Sequence, residues 1–123
     1  MATRKTHKAR GASWESAIRD DLRAMGYDCE RLARTGAKDE GDVVAKDHVA
    51  FRKDIIIEAK APGLDGKIDL SGWLKEATIE AKNYANARHL EGYDVLPVVV
   101  IKARGKSIDE AYVVVKYEDF FKG

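Results

Sequence analysis

Apolar residues at helical spacing predict two amphipathic helices in this chain. The first is predicted from Ser13, a favourable N-cap residue, to about Met25, where a glycine follows. The second, the clearest element of the chain, is predicted from a cap at Asp69 or Ser71 to about Ala87. Each helix carries one continuous apolar stripe, so each is expected to pack one face against a hydrophobic core.

Five shorter apolar runs predict β-strands. The third contains three consecutive isoleucines at 55–57, which is typical of a strand that is covered on both faces and therefore central in its sheet. The order helix, three strands, helix, two strands predicts an α/β fold with a central mixed five-stranded sheet flanked by helices. The predicted strands are residues 27–34, 42–46, 51–60, 95–101 and 111–117, followed by a short helical turn at 118–122.

Length and composition indicate a single globular domain. The chain has 123 residues, enough for one substantial core. The lone cysteine, Cys29, cannot form an internal disulfide and indicates a reducing compartment, so we expect a cytoplasmic protein. No apolar run has transmembrane length, and the basic N-terminus is not followed by the apolar segment of a signal peptide. A membrane partner is therefore not expected.

The net charge of +1 conceals an uneven distribution of charge along the chain. Residues 1–38 carry nine Lys/Arg and five Asp/Glu, whereas residues 39–69 carry five basic and eight acidic residues. Residues 1–11 contain basic and almost no apolar residues, so they are predicted to be a flexible arm that precedes a domain at 12–123. This distribution suits a protein that binds phosphates with one part and cations with another. A solvated tail beside ordinary surface charge explains it equally well.

Acidic residues and a lysine lie at the ends of two predicted neighbouring strands. Glu58 and Lys60, two residues apart, project to the same face, and Asp42 is able to face them from the start of the preceding strand. Two carboxylates, with the Ala59 carbonyl as a third oxygen, are suitable ligands for Mg²⁺. Lys60 would orient or acidify an attacking water or stabilise developing negative charge. Glu15, on the first helix, would bind a second metal or a metal-bound water. Together these groups are the ones that a phosphodiester nuclease requires.

The alternative to a catalytic site is an ordinary surface ion pair. A chain with 21 acidic residues easily contains an Asp followed by Glu-x-Lys. Two features favour the catalytic interpretation: Glu58 and Lys60 end an apolar strand instead of lying in a polar loop, and Pro62-Gly63 follows them.

The same residues resemble the metal-binding signature of the PD-(D/E)xK nuclease superfamily. Asp42 and Glu58-Ala59-Lys60 match it, with Gly41 where many members have proline. With Trp14-Glu15, the wider pattern of residues 10–121 is similar to the archaeal and phage-encoded Holliday-junction resolvases of that superfamily. Two further segments resemble the phage-encoded group in particular, residues 68–77 and 102–106.

This resemblance implies a restriction-endonuclease-like core and a Mg²⁺-dependent endodeoxyribonuclease in which Mn²⁺ substitutes for Mg²⁺. It implies DNA as the partner, in the form of four-way junctions that a homodimer resolves by paired symmetric nicks, in the host cytoplasm if the protein is phage-encoded. Asp42 and Glu58, with the Ala59 carbonyl, become metal ligands, and Lys60 becomes the catalytic lysine. Glu15 becomes the accessory acid and a further ligand.

The resemblance also implies basic residues that contact DNA phosphates. Either Arg31 or Arg34 would take the place of an arginine of the archaeal enzymes, and we favour Arg34 because it leads into a glycine-containing loop. The complete expected set of DNA contacts is Arg4, Lys5, Lys8, Arg10, Arg31, Arg34, Lys38, Arg104 and Lys106.

Several alternatives remain open from the sequence. Some relatives carry a glutamine on the second helix; Glu76 or Glu80 would fill that place or would simply belong to a solvated helix face, and we favour the latter. The chain is alternatively a nuclease for other DNA structures, of repair, flap or restriction type, or an inactive DNA-binding module. Asp21 lies within the first apolar stripe without an explanation. The candidate dimer contacts are Ile79, Val113, Val115, Phe120 and Phe121, of which the two phenylalanines are equally suited to the core.

Overall fold

A computed structural model describes residues 7–32, 40–63 and 65–123, with the backbone alone described for residues 7–10. Within these ranges the helices and strands follow the predicted order, and short 3₁₀ turns at Gly92–Asp94 and Ile108–Glu110 are additional. The elements are α1 (His7–Ala24), β1 (Asp28–Arg31), β2 (Val43–Lys46), β3 (Asp54–Lys60), α2 (Leu70–Ala87), β4 (Val95–Ile101), β5 (Tyr112–Val114) and α3 (Tyr117–Phe121).

The ends of the elements differ from the sequence prediction at several places. Helix α1 begins at His7 instead of at the predicted cap Ser13, so residues 7–11 of the predicted arm are helical. Of the two predicted caps for α2, Asp69 is the correct one, because its carboxylate accepts a hydrogen bond of 3.0 Å from the Gly72 N–H. Strand β5 has three residues, fewer than the sequence predicts, and residues 33–34 of the first predicted strand lie outside the described residues.

In the described part of the chain the five strands form one mixed sheet in the order β1-β2-β3-β4-β5. Strand β3 is central, antiparallel to β2 and parallel to β4, and β5 is antiparallel to β4. A parallel pair needs a long crossover, which α2 provides between β3 and β4. The last residues of β3 and β4 therefore lie side by side at the same end of the strands. The start of β2 lies at this edge of the sheet as well.

The two long helices cover opposite faces of the sheet. Trp14 and Ile18 of α1 pack in one cluster with Ile55 and Ile57, whereas residues of α2 pack with Ile56 in another. Alternate isoleucines of β3 thus enter different cores, as the period of a strand requires. The predicted central position of this strand and the predicted fold class are confirmed.

The apolar residues of the predicted stripes are buried or partly buried, except for one residue at the C-terminal end of the first stripe and one at the N-terminal end of the second. Met25 follows the end of α1 and is 61% exposed, and Leu70 is the first residue of α2 and is 43% exposed. Ile79, a candidate dimer contact, is exposed. Of the candidate dimer contacts near the C-terminus, Val115 packs against the core, whereas the others are exposed, namely Val113, Phe120 and Phe121. No helix in the described ranges has the length and apolarity needed to cross a membrane.

Candidate active site

The Asp42 carboxylate is held beside the end of β3 by main-chain contacts. The Asp42 N–H donates to the Ile57 carbonyl at 3.1 Å, and its carboxylate Oδ2 accepts from the Ala59 N–H at 2.8 Å. The Asp42 N–H thus bonds the carbonyl of Ile57, which already pairs with Val43, so the regular β2–β3 register ends here and a bond to the Asp42 side chain takes the place of the next ladder bond. In a strand the N–H and the C=O of one residue point toward the same neighbouring strand. Because the Ala59 N–H points to Asp42, the Ala59 carbonyl also points toward Asp42 and β2.

Gly41 makes the close approach of Asp42 to β3 possible. Its φ of +102° is a conformation that other residues rarely adopt. A Cβ at this position would lie 3.0 Å from Ile56 Cγ2 and 3.6 Å from the Ile57 carbonyl oxygen. Proline fixes φ near −65°, so it is incompatible with the conformation found at Gly41.

We expect Gly41→Ala to destabilise the fold by about 1–3 kcal/mol, because it combines left-handed strain with a clash against a buried strand. Urea unfolding measures this change. Gly26→Ala is the matched control, because Gly26 has a similar φ of +96° but a Cβ added there would meet no described atom within 4 Å. Equal losses in the two variants would show that crowding at Gly41 contributes nothing.

Glu15 reaches the same edge of the sheet from α1. Burial, then a hydrogen bond with Asp42 and the charge of Asp42, raise the pKa of Glu15 to about 7. Arg31 opposes this rise, because its guanidinium lies 2.8 Å from Glu15 Oε2. Arg31 also donates to Ser16 Oγ at 3.1 Å. One of the residues expected to contact phosphate is therefore bound to an acidic residue of the site.

Glu58 is a buried carboxyl group with incomplete hydrogen bonding. It is 5% exposed, and among the described residues its Oε2 atom has no hydrogen-bond partner. The pKa of Glu58 is raised to about 7, chiefly by burial and also by the charge of Asp42, while a hydrogen bond with Glu80 and the charge of Lys60 oppose the rise. A buried carboxylate oxygen without a partner is costly unless a cation occupies the space beside it. Glu58 therefore fits the role of a metal ligand.

The Lys60 side chain belongs to the same cluster of side chains. Its Nζ lies 3.2 Å from Glu58 Oε1, 3.2 Å from Glu76 Oε2 and 5.6 Å from the centre of the Trp73 ring. Partial burial lowers the pKa of Lys60, but the carboxylates of Glu58 and Glu76 outweigh this effect and raise it above the usual value. Lys60 is consequently an ammonium ion whose position is defined by two acids and an aromatic ring.

The two glutamates of α2 both belong to this cluster. Oxygens of Glu58, Glu76 and Glu80 lie within 4.8 Å of one another. The favoured interpretation of a solvated helix face is wrong for Glu80, which is 3% exposed and has a carboxylate oxygen within 4.8 Å of one of Glu58. The sequence does carry a signal for this placement: Glu76 and Glu80 are three and seven residues after Trp73, so they lie on the side of α2 that faces the end of β3.

The expected DNA-contacting residues are described only in part. Arg104 and Lys106 are exposed in the turn that follows β4, and this turn lies next to the site because the Lys102 N–H donates to the Lys60 carbonyl at 2.9 Å. Lys8 and Arg10 lie on the first turn of α1, where only the backbone is described. The remaining four lie outside the described residues: Arg4, Lys5, Arg34 and Lys38.

The mixed five-stranded sheet with flanking helices is the restriction-endonuclease-like fold expected from the sequence. Among solved structures, the chain is similar to Hjc, a Holliday junction resolvase of the archaeal hyperthermophile Archaeoglobus fulgidus. The TM-score is 0.54 at 16% sequence identity, over 85% of this chain and 76% of that chain. No protein-family model matches the chain, and no curated protein matches it. At this identity the similarity establishes the fold.

Proposed function

We propose that this protein is a metal-dependent endodeoxyribonuclease. The observation that carries the proposal is the buried Glu58 carboxyl, with an oxygen that has no hydrogen-bond partner among the described residues, beside Asp42 and Lys60 at one sheet edge. The arrangement of one lysine among carboxylates at strand ends suits cleavage of a phosphodiester, which needs charge neutralisation and a positioned water. A structural ion pair on the surface would not require a carboxyl that is 5% exposed.

Asp42, Glu58 and the Ala59 carbonyl are the groups that would hold Mg²⁺ or Mn²⁺. When bound, the ion supplies Lewis acidity and lowers the pKa of water. The side chains have distinct roles around it. Glu15, with a pKa of about 7, is able to take up or release a proton near neutral pH. The Lys60 ammonium adds positive charge beside the phosphate that becomes more negative during attack.

The proposed substrate is a four-way DNA junction, bound by a homodimer. The fold shared with the archaeal resolvase supports this choice, and so does the exposed basic turn at Arg104 and Lys106 beside the acids. Resolution of a junction needs two symmetric nicks, and a two-fold dimer provides two sites in a matching arrangement. Contacts with phosphates favour recognition of the shape of DNA over its sequence.

A panel of labelled DNAs tests this proposal directly. Four-way junction, duplex, flap and single-stranded DNA are each incubated with protein in Mg²⁺, Mn²⁺ or EDTA. We expect junction cleavage in both metals and none in EDTA, a dimer in sedimentation, and a cruciform plasmid linearised by paired nicks. Full activity in EDTA would contradict the metal mechanism. A monomer that cuts duplex as fast as junctions would favour a nuclease for other DNA structures, and binding without cleavage would indicate an inactive module.

Removal of residues 1–6 is expected to weaken DNA binding and to reduce its dependence on salt. Arg4 and Lys5 would each contact a phosphate, and each lost contact lowers the log–log salt slope by up to about 0.9. Binding titrations at several salt concentrations measure the slope. The full-length variant with Arg4→Gln and Lys5→Gln is the matched control, because it removes the charges and keeps the chain. An unchanged slope in both proteins would mean that this segment does not contact DNA.

A further inference from the structure

The position of Lys60 depends on two carboxylates with different surroundings. Glu58 holds one side of the ammonium, but its side chain is almost fully buried and is a proposed metal ligand. Glu76 holds the other side from α2, and its side chain is 44% exposed. The two distances from Lys60 Nζ are equal at 3.2 Å. If Glu58 turns toward a metal ion, Glu76 is the contact that continues to hold Lys60.

The surrounding helix surface favours one position of the ammonium. Trp73 lies three residues before Glu76, so its ring and the Glu76 carboxylate are neighbours on α2. The ring centre lies 5.6 Å from Lys60 Nζ, within the range of a cation–π contact. A lysine side chain is long and flexible, and holding it in one arrangement costs rotamer entropy. Two simultaneous contacts from one rigid helix reduce that cost at the time of reaction.

Carboxylate oxygens of Glu58, Glu76 and Glu80 lie within 4.8 Å of one another, close enough to bind one cation together. The Lys60 ammonium lies within salt-bridge distance of two of them, Glu58 and Glu76. A metal ion between these carboxylates would have to displace it. The described geometry therefore favours the ammonium as the cation of this cluster.

We propose that Glu76 is a positioning residue that fixes the Lys60 ammonium against Trp73 while Glu58 serves the metal. This proposal rests on the proposed nuclease function for its effect on rate, but the anchoring of Lys60 is a property of the protein alone. Glu76 touches neither the substrate nor the reacting atoms in this role. It determines where Lys60 places its charge, and small displacements of a reacting group have large effects on rate.

The test uses the full chain with two substitutions at Glu76. Glu76→Ala removes the carboxylate at a partly exposed helical position without loss of helix propensity, and Glu76→Gln keeps a hydrogen-bond acceptor without the charge. We expect Glu76→Ala to lower the single-turnover cleavage rate roughly 10- to 100-fold while DNA affinity in EDTA stays unchanged. Glu76→Gln should recover part of the rate. Glu118→Gln, which removes the same charge from exposed α3, should retain the full rate.

A second measurement follows the lysine itself without any DNA. In ¹⁵N-lysine spectra, the protected ammonium signal of Lys60, assigned by its loss in Lys60→Ala, should broaden or disappear in Glu76→Ala. An unchanged signal, or a lost signal with an unchanged cleavage rate, would overturn the positioning role. If the unmodified protein cuts no DNA, the proposed nuclease function fails. The lysine signal then still decides whether Glu76 anchors Lys60, since a signal that depends on Glu76 supports the contact and an independent one overturns it.

Discussion

Glu58→Gln is expected to abolish DNA cleavage, with a loss of roughly a thousandfold or more, while DNA binding persists. The substitution keeps the size of the side chain but removes the negative charge that a divalent cation requires. Single-turnover cleavage of a four-way junction in Mg²⁺ measures the rate, and a gel-shift titration in EDTA measures the affinity. The basic residues proposed to contact phosphates are unchanged, so the affinity for DNA should remain within the range of the unmodified protein.

Stability measurements show whether Glu58→Gln is inactive because it lacks the carboxylate charge or because its fold is damaged. The pKa of Glu58 is about 7 in the folded protein, against an ordinary value of 4.5. A carboxyl group with a raised pKa binds more protons in the folded state, so its contribution to stability falls as pH rises through the interval from 4.5 to 7. Its cost at pH 8 is up to about 3 kcal/mol, and Gln avoids this cost.

Glu58→Gln should therefore unfold at a higher temperature than the unmodified protein at pH 8 without metal, with a much smaller difference at pH 4. A variant that is less stable at pH 8 would indicate that Glu58 contributes structurally in its charged form. Undiminished cleavage by a well-folded Glu58→Gln variant would contradict the role of Glu58 as a metal ligand. A loss of both cleavage and DNA binding would point to a rearranged site instead.

The sequence predicts the architecture well because each element carries a local signal. The three isoleucines at 55–57 enter two different cores, and that pattern is readable without a structure. The predicted start of α1 at Ser13 is wrong. Ser13 is a favourable cap residue, but the polar residues before it also form helix. Local preference at Ser13 is weak compared with continuation of an existing helix, in which each added residue gains a hydrogen bond.

The sequence identifies the residues of the candidate site better than their environment. Asp42, Glu58 and Lys60 meet at one edge because they end or precede paired strands, and strand pairing follows from the pattern of apolar residues. The burial of Glu80 depends on how closely α2 approaches the sheet, and this distance is set by the side chains of both partners. The ion pair of Arg31 with Glu15 depends on the position of β1 relative to α1, for which the sequence carries no signal.

Lys60→Ala is expected to lower the cleavage rate by roughly 10²- to 10³-fold and also to destabilise the fold at high pH. The loss of rate follows from removal of a positive charge beside the reacting phosphate. The loss of stability follows from the position of Lys60, whose side chain is 23% exposed and lies 3.2 Å from the nearly buried Glu58 carboxylate. Without this ammonium, the folded-state pKa of Glu58 rises further above about 7, so the additional destabilisation grows as pH increases from about 7 toward the raised pKa.

Thermal unfolding at pH 5 and pH 8, without metal, measures this second effect of Lys60→Ala. We expect a larger difference from the unmodified protein at pH 8, where Glu58 would otherwise be charged. Lys60→Arg is the matched control, because it restores a cation for Glu58 but presents a larger planar group that reaches a different position. It should recover most of the stability and little of the cleavage rate. Recovery of the full rate by Lys60→Arg would mean that charge alone, without the defined position of the ammonium, accounts for the role of Lys60.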